Sequence, residues 1–183
     1  ASGSSARRLS DSGTSPGGGA IFWSKSHSTS TVFLRVDGCA FRDNTAPELA
    51  GGAVYIEAST YATVALGSKL YSSFNQVTFT NNMAYQGGAV ATGSTFPYDT
   101  RKAVHWLLLL DGTTFDVNQV SGSGGAVHSD GTTVESTAAT YTGNIASGDG
   151  GALHSVDSTV VIRSNIFHAN TASSEAGKGG AIR

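Results

Sequence analysis

The sequence has little cysteine, little charge and no long apolar run, and each shortage excludes a class of protein or a structural feature. The single cysteine, Cys39, cannot form an intrachain disulfide. Charged residues make up 13% of the chain, and 11 Lys and Arg against 13 Asp and Glu give a net charge of −2. This balance argues against a nucleic-acid-binding protein, which usually carries a basic excess. No apolar run approaches the roughly 18 residues of a membrane helix, so no membrane span is predicted.

Glycine is abundant, with 24 residues, and much of it falls in a repeated word. Six times the chain reads Gly-Gly-Ala followed by an aliphatic residue, starting at Gly18, Gly51, Gly87, Gly124, Gly150 and Gly179. Between these words stands an aromatic residue with Asn three positions later, as Phe41/Asn44, Phe79/Asn82, Phe115/Asn118, Tyr141/Asn144 and Phe167/Asn170. The aromatic residues are 38, 36, 26 and 26 positions apart. A repeat of this length that tolerates insertions indicates a solenoid.

The segments between the words are typical of β-strands. They are rich in Val, Thr, Ile, Phe and Tyr, and "TVFLRV" at 31–36 and "STVVIR" at 158–163 run apolar for a few residues and then stop. We expect three short strands per repeat: one that begins at Gly-Gly-Ala, one that is rich in Val and Leu, and one that ends at the aromatic residue. The sequence therefore predicts an all-β chain, a parallel β-helix of about five to six coils over residues 17–183. Residues 1–16 are predicted to be a flexible, Gly- and Ser-rich lead-in.

A solenoid explains the words because the same position recurs directly above itself in every coil. The aromatic residues would then form a continuous stack inside the coil. The Asn side chains would form a ladder at a bend, bonded to backbone groups and to each other. Gly-Gly would stand at a corner where the backbone turns sharply and coils pack closely. The alternative, a phosphate-cradling glycine loop, lacks the Lys and Ser/Thr that should follow.

The paired words F-x-x-N and G-G-A-[I/L/V] resemble the repeats of the chlamydial polymorphic outer membrane proteins. The resemblance covers nearly all of residues 17–183, and Tyr141 in place of Phe is its one departure. It implies a right-handed parallel β-helix that is displayed extracellularly or at a cell surface as an adhesin-like passenger.

Acidic residues four positions before the aromatic are one candidate for a chemical site. This column holds Asp37, Asn75 and Asp111, so the two acids would lie two coils, or about 9–10 Å, apart. Such a pair could act as acid and base on a polysaccharide or bind Ca²⁺. Both acids precede glycine, however, which is ordinary turn chemistry.

A histidine pair is the other candidate. His128 and His154 each stand two residues after the Ala of a Gly-Gly-Ala word, so they would be neighbours on adjacent coils. With Asp130 or Asp157 they could bind a divalent transition metal. The alternative is that they belong to a polar outer face beside Ser129 and Ser155.

The leading functional hypothesis is a non-enzymatic surface repeat domain without a cofactor, acting as an adhesin passenger or a rigid spacer. The second is a structural subunit of a permanent assembly, and the third is a polysaccharide-active enzyme. Carbohydrate binding is compatible with all three. We also expect a protein partner or further repeats to dock on the C-terminal coil, where the sixth Gly-Gly-Ala strand has only begun.

Overall fold

The computed structural model describes residues 18–25, 31–58, 69–94, 105–173 and 178–183, which form twenty β-strands and no helix. The first coil comprises β1 Ile21–Lys25, β2 Val32–Asp37, β3 Ala40–Arg42 and β4 Thr45–Ala50. The second comprises β5 Val54–Ala58, β6 Lys69–Asn75, β7 Thr78–Thr80 and β8 Met83–Gln86. The predicted lead-in, residues 1–16, lies outside the described residues.

The remaining three coils repeat the same order. The third comprises β9 Val90–Ser94, β10 His105–Asp111, β11 Thr114–Asp116 and β12 Gln119–Val120. The fourth comprises β13 Val127–Asp130, β14 Thr133–Thr137, β15 Thr140–Thr142 and β16 Ile145–Ala146. The fifth comprises β17 Leu153–Val156, β18 Thr159–Arg163, β19 Ile166–His168 and β20 Thr171–Ala172.

Each coil gives one strand to each of four sheets, and every sheet is parallel. The first sheet runs β1-β5-β9-β13-β17, and the second, third and fourth follow with the next strand of every coil. The fold is therefore a parallel β-helix of five coils, which confirms the predicted class. The sixth Gly-Gly-Ala word forms a bridge between Ile182 and Leu153 on the first sheet, together with backbone hydrogen bonds such as that from the Ala152 N–H to the Ala181 oxygen, at 2.9 Å. The right-handed coil stays a prediction.

The prediction of three strands per coil is wrong, because each coil has four. The additional strand follows the ladder Asn and is as short as two residues in Gln119–Val120 and Ile145–Ala146. The aromatic residue stands in the middle of its three-residue strand, as Phe115 does in Thr114–Asp116, and does not end it. The Asn corner thus starts a new sheet where the sequence had suggested a turn leading to Gly-Gly-Ala.

The two glycines of each word serve different needs. The first has a positive φ, for instance 74° at Gly124 and 61° at Gly150, which L side chains rarely adopt. In the first five words the second has no room for a side chain: a Cβ on Gly125 would fall on the carbonyl oxygen of Gly151 and lie 2.8 Å from the Ile145 nitrogen, whereas a Cβ on Gly180 in the sixth word would have its nearest neighbour at 3.6 Å. The Ala that follows, such as Ala126, is fully buried. The word is therefore a device that lets two coils approach closely at a corner.

The main core is one continuous cluster along the inside of the coils, and Ala84, Val120 and Ala146 of the fourth sheet form a small second cluster. The main cluster contains alternate residues of the first and second sheets, such as Val90 and Val127 or Leu70 and Leu108, together with the aromatic residues of the third sheet. The intervening residues of the second sheet point outward. Among the described residues, no helix is long and apolar enough to cross a membrane.

Candidate functional site

The ladder Asn residues form one hydrogen-bonded column through all five coils. Each Nδ2 donates to the Oδ1 of the Asn in the next coil, at 2.8 Å from Asn44 to Asn82, 2.9 Å from Asn82 to Asn118, 3.0 Å from Asn118 to Asn144 and 2.9 Å from Asn144 to Asn170. The three inner members are almost fully buried and the two outer ones are half-buried. The three inner members belong to the interior, where the Oδ1 and Nδ2 of each one are hydrogen-bonded.

The backbone completes each rung of this ladder. The Nδ2 of Asn118 also donates to the Phe79 carbonyl oxygen of the preceding coil, at 3.0 Å. Its Oδ1 accepts from both the backbone N–H and the Nδ2 of Asn82, at 3.0 and 2.9 Å. An amide suits this position because it supplies two N–H donors and an acceptor oxygen, whereas a carboxylate has no donor and a hydroxyl has only one.

The aromatic residues form a second column on the third sheet. The successive rings of Phe41, Phe79, Phe115, Tyr141 and Phe167 stack with centroids 5.1, 5.2, 4.7 and 4.6 Å apart and planes within 11° of parallel. The three inner rings are fully buried. Stacking of this kind adds to the hydrophobic gain, so the column holds the coils in register.

Tyr141, the one departure from Phe, has a partner for its hydroxyl. Its OH lies 2.9 Å from Ser136 Oγ, and Asn165 Nδ2 donates to the same Oγ at 2.7 Å. Burial raises the pKa of Tyr141, and the hydrogen bond to Ser136 opposes that rise in part. The phenol is therefore a neutral, satisfied member of the core, and its chemistry is structural.

The two candidate histidines are in contact. His128 and His154 pair in register on β13 and β17, their Nδ1 atoms are 3.2 Å apart, and their ring centroids are 5.1 Å apart. His128 is only 7% exposed, so the alternative of an open polar face is wrong for this ring. A hydrogen bond between two Nδ1 atoms requires that one ring carries the proton and donates it while the other ring accepts.

Burial governs the ionisation of this pair. Desolvation, with repulsion from His154 as the smaller cause, lowers the pKa of His128 to about 4. Burial also lowers the pKa of His154. Both rings are therefore neutral at pH 7. Among the described residues, no three His, Cys, Asp or Glu side chains converge as metal ligands would.

The acidic column lies on the outer face of the second sheet. Strand pairing places Asp37 opposite Asn75 and Asn75 opposite Asp111, with Thr137 next. These residues border an open groove of about 840 Å³. Asp37 is held by the Arg35 guanidinium, whose Nε donates to its Oδ2 at 2.6 Å.

The opposite side of this groove is aromatic, a feature that the sequence interpretation missed. Phe33 and Tyr71 stack with centroids 5.2 Å apart and planes 9° from parallel, and Phe33 is 68% exposed. The alternation in "TVFLRV" and "LYSSFN" could have placed both rings outward. Both rings stand eight positions before the aromatic residue of their coil, Phe41 or Phe79, so the count that aligned Asp37 with Asn75 also aligns Phe33 with Tyr71.

Comparison with known proteins bears on one repeat. The family model of the Chlamydia polymorphic membrane protein repeat matches residues 76–93. This segment runs through β7 and β8 into β9 and contains Phe79, Asn82 and the word that begins at Gly87. The match confirms, for this repeat, the resemblance that the paired words indicated. No curated protein and no solved structure matches the chain.

Proposed function

We propose that this chain is a surface-exposed repeat domain without enzymatic activity, which serves as an adhesin passenger or a rigid spacer. The proposal rests on the contacts that the repeated words make. Their Asn and aromatic side chains join one coil to the next, for example through the Asn118–Asn144 hydrogen bond and the Phe115–Tyr141 stack. A repeat whose recurring side chains stack one coil on another is suited to forming a long rod with a large exposed surface.

The matched repeat supports the location. It is the repeat of a Chlamydia membrane protein, and this agrees with display at a cell surface. The test is immunolabelling of intact source cells with antibodies raised against the purified chain. We expect labelling of intact cells equal to that of permeabilised cells, while a cytoplasmic marker is labelled only after permeabilisation. Labelling that requires permeabilisation would contradict surface display.

The adhesin and spacer roles can be separated with the purified chain. Beads coated with the chain should adhere to target cells if it is an adhesin, and beads coated with a heat-unfolded sample are the control. Equal retention of both bead types would favour the spacer. The alternative of a polysaccharide-active enzyme is tested by depolymerisation assays with and without Ca²⁺. Turnover that disappears in Asp37→Asn and Asp111→Asn would overturn the non-enzymatic assignment.

The outer coils support a role for neighbouring repeats or a protein partner. Phe167 and Asn170 in the fifth coil are half-buried, whereas their counterparts Tyr141 and Asn144 in the fourth are fully buried. A further coil stacked on β19 and β20 would complete both columns. Light scattering over a wide concentration range tests this docking: we expect association of the chain that a polar substitution, Ile166→Lys, reduces. A monomer at every concentration would contradict it.

A further inference from the structure

We infer that the groove on the outer face of the second sheet binds a neutral oligosaccharide. The groove is defined by its two walls and its floor. One wall is the aromatic pair of Phe33 and Tyr71, and the other is the polar row Asp37, Asn75, Asp111. Ser73 lies between the walls, opposite Arg35 on β2 and Leu109 on β10. Because Ser73 is small, the space above it is open.

The aromatic wall points to a ligand with an apolar face. Phe33 exposes 68% of its surface, although a ring of this size gains about 2 kcal/mol from full burial. Its partner Tyr71 is packed face to face with it, so the two rings form one flat-sided ridge. Concave sites that combine aromatic surface with a few placed polar groups are the usual form of small-molecule sites.

The polar row offers both donors and acceptors at regular spacing. Asp37, Asn75 and Asp111 follow one another at the spacing of parallel strands, about 4.8 Å, so the row is about 10 Å long. Carboxylates accept hydrogen bonds, and the Asn amide and the Ser73 hydroxyl both donate and accept. A sugar has this same duality, because each hydroxyl donates and accepts and the ring has an apolar face.

The charge of the groove favours a neutral ligand over a basic peptide. Asp37 is neutralised by Arg35 at 2.6 Å, and Glu135 faces Arg163 at 3.9 Å. Of the acids that line the groove, only Asp111 is left without a described cation. A peptide rich in Lys and Arg would need several uncompensated carboxylates, whereas one carboxylate is a common acceptor for a pair of hydroxyls.

This inference goes beyond display and scaffold formation, and it can be tested on the purified chain alone. A panel of neutral oligosaccharides built from glucose, galactose, mannose and N-acetylglucosamine is screened on an array, and hits are quantified by titration calorimetry. Loss of sugar binding would leave surface display untouched, and a chain that binds sugar but is absent from the cell surface would contradict only the proposed function.

Two groove variants have matched controls elsewhere on the surface. Phe33→Ala removes the exposed ring, and Tyr85→Ala removes a ring that is 50% exposed on the fourth sheet. Asp111→Asn removes the acid of the polar row, and Glu48→Gln changes an exposed acid on β4. All four positions are on the outside of a coil, and unfolding curves verify that each variant is folded.

We expect the two groove variants to weaken binding of the best neutral oligosaccharide about tenfold or more, which corresponds to about 1.4 kcal/mol, and the two controls to leave it unchanged. Three results would overturn the inference: no neutral oligosaccharide binds, binding is the same in all four variants, or the wild-type chain binds an oligolysine peptide in a salt-sensitive manner and no sugar.

Discussion

Replacing Asn118 by Ala removes the middle rung of the Asn ladder. The Asn118 side chain makes four hydrogen bonds: two accepted from Asn82, one donated to Asn144 and one donated to the Phe79 carbonyl. Without its Oδ1, the buried backbone N–H of Asn82 loses its acceptor. The Asn82 side chain is affected less, because its Nδ2 also donates to the Phe41 carbonyl. The Asn144 Oδ1 keeps the bond from the Asn118 backbone.

The expected cost follows from this inventory. A buried donor without a partner costs about 1–3 kcal/mol, and each further lost bond costs about 0.5–1.5 kcal/mol net. We therefore expect Asn118→Ala to lower the free energy of unfolding by about 2.5 kcal/mol or more. Asn44→Ala is the matched control, because within the part of the chain that the structure describes the half-buried Asn44 side chain makes only the donated bond to Asn82. Its removal should cost about 0.5–1 kcal/mol.

Urea unfolding of the wild type and both variants measures these values. Equal slopes of the unfolding free energy against urea concentration verify that only stability has changed. A loss for Asn118→Ala that is several times that for Asn44→Ala supports the ladder. Equal losses, or a loss below about 0.5 kcal/mol at Asn118, would refute the account of the column as a buried, mutually satisfied network.

Three further comparisons have expected outcomes. Gly125→Ala should destabilise by several kcal/mol, because its Cβ would meet the Gly151 carbonyl. Gly38→Ala should cost about 1 kcal/mol, because Gly38 has φ 58° but open space where its Cβ would lie. Equal melting temperatures for the two variants would contradict the close-approach argument. Ser72→Ala should be neutral or stabilising, because its buried Oγ has no partner among the described residues. Ser136→Ala should destabilise by about 1–3 kcal/mol, because it leaves the Tyr141 hydroxyl unpaired. A lower melting temperature for Ser72→Ala than for Ser136→Ala would count against both assignments. The lowered pKa of His128, about 4 against an ordinary 6.5, means that the unfolded state takes up a proton first, so stability should fall as the pH drops from about 6.5 to about 4, by an amount on the order of 3 kcal/mol. Urea midpoints over that range should vary less for His128→Asn than for the wild type, and identical pH profiles would show that the pair is not the cause.

The fold was predictable because the repeated words align equivalent positions of successive coils, in addition to the strand-forming composition of the segments between them. Each copy of Phe-x-x-Asn marks the same point of a coil, and the equal steps from Phe115 to Tyr141 and Phe167 give the coil length directly. The strand pairing of Phe115 with Tyr141 and of Tyr141 with Phe167 is the structural counterpart of those steps.

The fourth strand could not be found because it is too short for an alternating pattern. Gln119–Val120 and Ile145–Ala146 each show one outward and one inward residue, and two residues do not define a period. The strand becomes evident only when the inward Ala84, Val120 and Ala146 are seen to pack together.

The aromatic side of the groove and the burial of His128 were missed for a different reason. Counting back from the aromatic residues aligned Asp37 with Asn75 and Asp111, and the same count aligns Phe33 with Tyr71, but alignment alone does not show that two rings stack while one stays exposed. The burial of His128 was equally hidden, because Ser129 and Ser155 beside the histidine pair are side chains typical of a polar outer face. Tertiary packing, and not the local pattern, decides both environments.

The most direct test of the stacked coil is the set of inter-strand contacts in solution. A nuclear Overhauser spectrum of the isotopically labelled chain should show ring contacts between Phe115 and Tyr141 and between Tyr141 and Phe167. Parallel backbone contacts between Thr114 and Thr140 and between Thr140 and Ile166 should accompany them, all 26 residues apart. Contacts between consecutive strands in an antiparallel pattern, such as β14 with β15, would contradict the parallel β-helix and the account built on it.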